Sequence, residues 1–278
     1  MNPQERVTAA RKELAQARSD LQTVLNREKS RRRGGVVRLM HEVAGMMTPG
    51  FPYASQAGQD QVVDTIFKGK RGGTFLDIGA FNGITGSNTS FFEKWRGWTG
   101  HLVEPVAANR EVAAEWRTAP MLPYAISDSD GEASFIAVTA GYTQMSGLEA
   151  TYDAALLKRV RASERHAEDR ITVETRSLNS LFAELDLTEV DFVSLDIEGG
   201  ELAALEPFDF DGHRVGVWAI ENNTGAPDLP RLMRSRGFEL VEFCGVDEIY
   251  RRKDLETCID PIRPLTAPAR LTFITPVS

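Results

Sequence analysis

The chain has 278 residues, 42% hydrophobic and 26% charged, a balance that supplies a sizeable core and excludes wholesale disorder. Its net charge of −8 is unevenly spread: residues 1–38 hold ten Lys or Arg against four Asp or Glu, so this arm is +6 and the remainder is −8 − 6 = −14. An acidic body is a poor partner for nucleic acid, which draws on a basic face, and no apolar run approaches the roughly 18 residues of a membrane span.

In chain order, the first segment repeats apolar or small residues at Val7, Ala10, Leu14, Ala17, Leu21 and Val24. This is heptad spacing, and it predicts a helix of about six turns. Two readings stay open: a short coiled coil that makes a homo-oligomer, or an arm docked on its own domain or left mobile. The run KSRRRGG at 29–35 fits a helix end, with basic side chains complementing the dipole and Gly34 and Gly35 stopping it. The same cluster admits a weak contact with an anionic membrane surface or a phosphorylated carrier.

From residue 74 short apolar strands alternate with helical stretches, the pattern of a parallel sheet covered on both faces. Strands are predicted at 74–78, 100–104, 121–125, 190–195, 215–221, 238–244 and 248–252. The last two are too close for a helical crossover and predict an antiparallel hairpin. Within an insertion at about 129–175, GEASFIAV and ITVETRSL read as extra strands around a charged helical stretch near 149–169. The expected plan is a basic helical arm at 1–38, an α/β domain at 39–253 and a proline-rich tail at 254–278. Cys244 and Cys258 show no metal-ligand spacing, and the N-terminal residues lack the apolar core of a secretory signal, so a cytoplasmic location is the expectation.

The stretch TFLDIGAFNGITGSNT, residues 74–89, ends a buried strand on an acid and follows it with glycines. Glycine lets backbone approach a ligand at the carboxyl edge of a sheet. A dinucleotide loop would seat a pyrophosphate there, but Asp77 opposes an anion and suits a cationic ligand such as S-adenosylmethionine. Glu104, ending the next strand, has the placement of an acid that accepts from both ribose hydroxyls of an adenosine. Ser127 and Asp128, in AISDSDG, stand where an adenine edge can be met, although the same letters make an ordinary turn.

With these residues in view the chain resembles the FkbM-type S-adenosylmethionine-dependent methyltransferases. The similarity is carried by SQAGQD at 55–60, FLDIGAFNGITGSNT at 75–89, VEP at 103–105 and VDFVSLDIEGGELAALEPFDF at 190–210, supported by AIENN at 219–223 and GFELV. The resemblance implies a class I methyltransferase (Rossmann-like) α/β fold with a seven-stranded, mostly parallel sheet, its last strand antiparallel and helices on both faces. The N-terminal helical arm lies outside the family core. It also implies methyl transfer to a hydroxyl of a sugar, glycan precursor or polyketide-like molecule. Carried over, the cofactor loop is Asp77, Gly79, Ala80, Asn82 and Gly83, the ribose acid Glu104, and the adenine contacts Ser127 and Asp128. Gln56 and Gln59 lie over the cofactor on this reading, while on another the same stretch starts a helix with Ser55 as its cap.

An acceptor hydroxyl must lose its proton. Asp196 and Glu198 end the fourth predicted strand, and Glu221, Asn222 and Asn223 end the fifth. Adjacent parallel strands bring these groups side by side, with Asp196 also next to the cofactor. One reading makes Asp196, Glu221 and Asn222 ligands of Mg²⁺, similar to the Asp, Asp, Asn site of catechol O-methyltransferase with Glu221 in place of an Asp. A second makes the site metal-free, with Glu198 or Asp196 as the base and its proton affinity raised by crowded carboxylates; across the readings Asp196, Glu198 and Glu221 are the catalytic candidates. A third is structural, with Glu201 capping a helix near Gly200. None of the four histidines falls in these motifs, although His101 or His213 can reach the site through folding. A binding protein without turnover, or an RNA 2′-hydroxyl methyltransferase, are the rival functions.

Overall fold

The computed structural model describes residues 2–256 and Ile262; Cys258 and most of the expected tail lie outside them. The first helix, α1 (Pro3–Arg27), opens on a capping box in which Asn2 and Glu5 satisfy each other's backbone amides. Its first three turns are exposed and Leu25, near its end, is buried. The second, α2 (Arg32–Met47), packs on α1 and on a sheet edge strand. Gly34 and Gly35 therefore do not stop a helix, as the sequence suggested, but lie in the first turn of the next. At Gly34 a Cβ would stand 2.0 Å from the carbonyl oxygen of Gly245, whose N–H donates to the Gly34 carbonyl at 3.0 Å. The glycine there permits a backbone-to-backbone contact.

After α3 (Gln59–Ile66) the main sheet begins with β1 (Thr74–Ile78). A π-helical turn (Phe92–Arg96) leads to β2 (Thr99–Val103), then α4 (Ala107–Ala114) and β3 (Met121–Leu122). The predicted strand 121–125 is split, because the chain leaves the main sheet after Leu122. It enters a second sheet made of β4 (Ala125–Ser127), β5 (Gly131–Ala140), β6 (Gly147–Leu148) and, after α5 (Ala154–Arg161), β7 (Ala167–Ser177). The helical stretch expected near 149–169 is thus confined to α5. The order of this four-stranded sheet is β4-β7-β5-β6.

The chain returns through α6 (Leu178–Glu184), β8 (Glu189–Leu195), α7 (Glu201–Leu205), β9 (Arg214–Glu221), α8 (Asp228–Ser235), β10 (Phe238–Cys244) and β11 (Asp247–Arg252). The seven-stranded sheet runs β10-β11-β9-β8-β1-β2-β3. β3, β2, β1, β8 and β9 are parallel, and β11 runs antiparallel to both β9 and β10. Alternate residues serve opposite faces. Leu76, Ile78, Val193 and Trp218 pack with α6, α7 and α8, whereas Phe75, Phe192, Val217 and Ile249 pack beneath α2 and α3. Among the described residues no helix is long and apolar enough to cross a membrane.

Candidate active site

A cavity of about 590 Å³ opens at the carboxyl ends of β1, β2, β8 and β9. It lies where the strand order reverses between β1 and β8, the place where open α/β sheets bind ligands. Part of the lining comes from α2 and the 55–59 loop, and part from the second sheet and α5.

The turn after β1 is built by close approach. The N–H groups of Gly79 and Ala80 donate to the Val103 carbonyl at 3.0 and 3.1 Å, and that of Asp196 to the Ile78 carbonyl at 3.1 Å. Gly79 has φ +79°, and a Cβ on it would come within 1.7 Å of the Asp196 carbonyl oxygen. Of the expected loop residues, Asp77, Gly79 and Ala80 line the cavity while Asn82 and Gly83 do not. Asn82 accepts from the N–H groups of Ile84 and Thr85 and shapes the turn from behind. Gly83 turns toward Ala113 and Arg117.

Asp77 is buried and accepts from the Thr89 hydroxyl at 2.6 Å and the Ser87 hydroxyl at 3.3 Å. Arg117 donates to those same hydroxyls at 3.0 and 3.2 Å. Burial pushes the Asp77 carboxyl above its ordinary range, with Arg117 and the hydroxyls opposing the shift. Glu104 accepts from the N–H groups of Phe81 and Val106 at 3.1 and 2.9 Å and from the Asn109 amide at 3.1 Å. Burial still raises it to about 7.

Ser127 and Asp128 are not in the lining: the Ser127 hydroxyl is turned to Asp128, and the splitting of the third strand carries both past the rim. Ala125, Ile126 and Phe135 line that region instead and make it apolar. Gln56 lines the cavity beside Gly86, where a Cβ would be 2.5 Å from its Cγ. The helix α3 starts at Gln59, not behind Ser55, whose hydroxyl bonds Asp60. Gln59 also lines the cavity and donates to Asp247 at 2.8 Å.

Asp196, Glu198 and Glu221 converge, with one carboxylate oxygen from each lying within 4.8 Å of the other two. Asn222 is not in the cavity lining, and its amide nitrogen donates to Glu248 at 2.9 Å and to the Ala226 carbonyl at 3.2 Å. Glu198 takes the third position because its backbone bends back at φ +61°, unusual for a residue with a side chain. Glu201 pins that bend by accepting from the N–H groups of Ile197 and Gly199 at 2.9 and 3.1 Å. One oxygen each of Glu198 and Glu221 is buried without a hydrogen-bond partner, a costly state for a charge. Burial first, then the crowding of Asp196 and its neighbours, raises Glu198 to about 10, and Glu221 shifts upward for the same reasons. Such a trio asks for protons or a cation.

Asp247, opposite Glu221 in the β11–β9 register, was not marked in the sequence, yet it lines the cavity and is raised by burial to about 6. Its signal was the hairpin itself, which returns the start of β11 to the site. His101 and His213 do not line the cavity; a His213 ring nitrogen lies 2.9 Å from the Leu187 carbonyl.

Together these features define an α/β protein with a cavity across the carboxyl ends of adjacent parallel strands and an acidic corner within it. Residues 77–240, more than half of the chain, match the methyltransferase FkbM domain. The chain belongs to the FkbM methyltransferase family. Among solved structures it is similar to a methyltransferase FkbM from Methylobacillus flagellatus KT, at 12% identity and a TM-score of 0.42. That match covers 85% of this chain and 58% of the other, so the chain spans little more than half of that relative's length. No curated protein matches the chain.

Proposed function

We propose that the chain is an S-adenosylmethionine-dependent O-methyltransferase of the class I fold, acting on a hydroxyl of a sugar, glycan precursor or polyketide-like molecule. The observation that carries this reading is the pairing of two acids at the ends of neighbouring strands, Asp77 and Glu104, with the three-carboxylate corner across the cavity. S-adenosylmethionine supplies an electrophilic methyl group. The chain's residues do the rest. Glu104 accepts from the ribose hydroxyls, Ala125, Ile126 and Phe135 cover the adenine, and the Gly79–Ala80 turn leaves room for the methionyl part. Asp77 holds the loop and adds negative potential toward the sulfonium.

The acceptor hydroxyl lies against Asp196, Glu198 and Glu221, which take up its proton as the O–C bond forms and the S–C bond breaks. An ionised member of this crowded trio is a stronger proton acceptor than an ordinary carboxylate, and with Glu198 raised to about 10 the ionised fraction grows as pH rises. The orphaned oxygens of Glu198 and Glu221 also fit a hard divalent cation such as Mg²⁺, held by these three side chains with Glu198 in the position expected of Asn222. Bound there, the cation supplies charge neutralisation and polarises the hydroxyl. Calorimetry with S-adenosylmethionine, followed by transfer of a labelled methyl group to a panel of hydroxylated acceptors, tests the reading. Absence of cofactor binding defeats it, and tight binding without any turnover favours a binding protein.

A further inference from the structure

The cavity is divided by sign. Its lining holds seven carboxylates, of Asp77, Glu104, Asp153, Asp196, Glu198, Glu221 and Asp247, and two cationic side chains, Arg38 and Arg159. Five of the acids are buried, while both arginines are exposed. Arg38 comes from α2, whose Gly34 abuts the cavity residue Gly245. Arg159 comes from α5, which also lines the cavity with Leu156, as does the preceding Asp153.

With seven acids around one cavity, an arginine free to reach them would pair with one. Neither does. The Arg159 side chain makes no hydrogen bond or ion pair with any described residue, although that of Arg161 pairs with Glu168. Among the described residues the Arg38 side chain engages only Glu42, one turn further along α2, through Nε at 3.0 Å on an exposed surface. Such a pair is worth about 0.3–0.5 kcal/mol and leaves the terminal nitrogens available. A neutral acceptor needs no cation at this rim, and the acidic floor would repel an anion lacking one.

We propose that the acceptor carries a phosphate or diphosphate ester, gripped at the cavity mouth between Arg38 and Arg159, with its hydroxyl reaching inward to Asp196, Glu198 and Glu221. This rests on the methyl-transfer reading above and narrows its acceptor. Guanidinium groups suit the grip because their planar fork donates two parallel hydrogen bonds to phosphate oxygens. The ester holds the acceptor from outside and leaves the floor of the cavity to the reacting oxygen.

The test uses the full chain and two matched probes, glucose 1-phosphate and methyl glucoside, titrated by calorimetry alongside S-adenosylmethionine. The charged probe should bind more tightly, with an affinity that falls as salt rises. Arg38→Gln and Arg159→Gln should each weaken it about tenfold, while cofactor affinity holds. Equal affinity for the two probes, or indifference of the charged probe to the double variant, overturns the proposal even when the cofactor binds normally. Loss of cofactor affinity in Arg38→Gln alone assigns that side chain to the cofactor's own carboxylate and overturns the two-arginine grip. Failure of the unaltered chain to bind cofactor defeats the methyl-transfer reading instead, and the two probes still report on the rim.

Discussion

Arg33 of α2 and Glu242 of β10 form a buried two-pronged ion pair, with Nε 2.6 Å from one carboxylate oxygen and an Nη bonded to the other. The same guanidinium donates to the carbonyls of Leu25 and Glu28 at the end of α1, at 2.6 and 2.8 Å. One side chain thus ties both N-terminal helices to the sheet. Arg33→Met strands a buried carboxylate, which should cost about 3–5 kcal/mol. Urea unfolding should show a lower midpoint, and Arg33→Met with Glu242→Leu should recover most of the loss. A wild-type midpoint for the single variant would mean that the arm does not dock this way.

Gly79 stands where β1 and β8 meet. An alanine there would need positive φ and would drive its Cβ into the Asp196 carbonyl. Gly79→Ala should therefore lose stability by several kcal/mol and displace Asp196 with the end of β8. Gly35→Ala, in open space within α2, is the control and should be neutral or slightly stabilising. Thermal melts of the two variants decide the matter, and equal melting temperatures would contradict the close contact.

Glu104 has a distinct pH signature. Its carboxyl is raised from an ordinary 4.5 to about 7, chiefly by burial, so between those values the folded chain holds a proton that the unfolded chain has released. Its contribution to stability is full below about 4.5 and lost as pH rises past about 7. Accepting from two ribose hydroxyls requires the ionised acid. Cofactor affinity should consequently be about tenfold weaker at pH 6 than at pH 8. Glu104→Gln should bind weakly and lose that dependence, and a flat profile in the unaltered chain would count against the ribose contact.

Much of this arrangement was legible in the sequence because strand ends and turns are local. The Asp77 turn, Glu104, Asp196 and Glu221 each terminate an apolar run, and a parallel sheet brings such termini to one edge. What escaped depended on contacts distant in the chain. The departure after Leu122 is fixed by pairing of Ala125–Ser127 with residues 175–177, which leaves Ser127 and Asp128 outside the cavity lining. Gly34 looked like a helix stop because its contact, Gly245, lies more than two hundred residues away. Asn222 looked like a ligand until Glu248 on the returning strand claimed its amide.

That last exchange yields a contrast between neighbours. If Asp196, Glu198 and Glu221 hold a divalent cation, Glu198→Gln removes one anionic ligand and should weaken Mn²⁺ binding at least tenfold, read by paramagnetic resonance of the free ion without cofactor or acceptor present. Asn222→Ala should leave Mn²⁺ affinity nearly unchanged while lowering the melting temperature, because Glu248 loses a buried donor. Methyl transfer should fall with Glu198→Gln whether the carboxylate holds a cation or takes the proton, so the binding measurement separates those roles. Undetectable Mn²⁺ binding by the unaltered chain, with turnover preserved in excess chelator, removes the cation and leaves the crowded carboxylates as the proton acceptor. The opposite pattern, in which Asn222→Ala abolishes Mn²⁺ binding and Glu198→Gln spares it, would mean that the amide turns inward when the ion arrives.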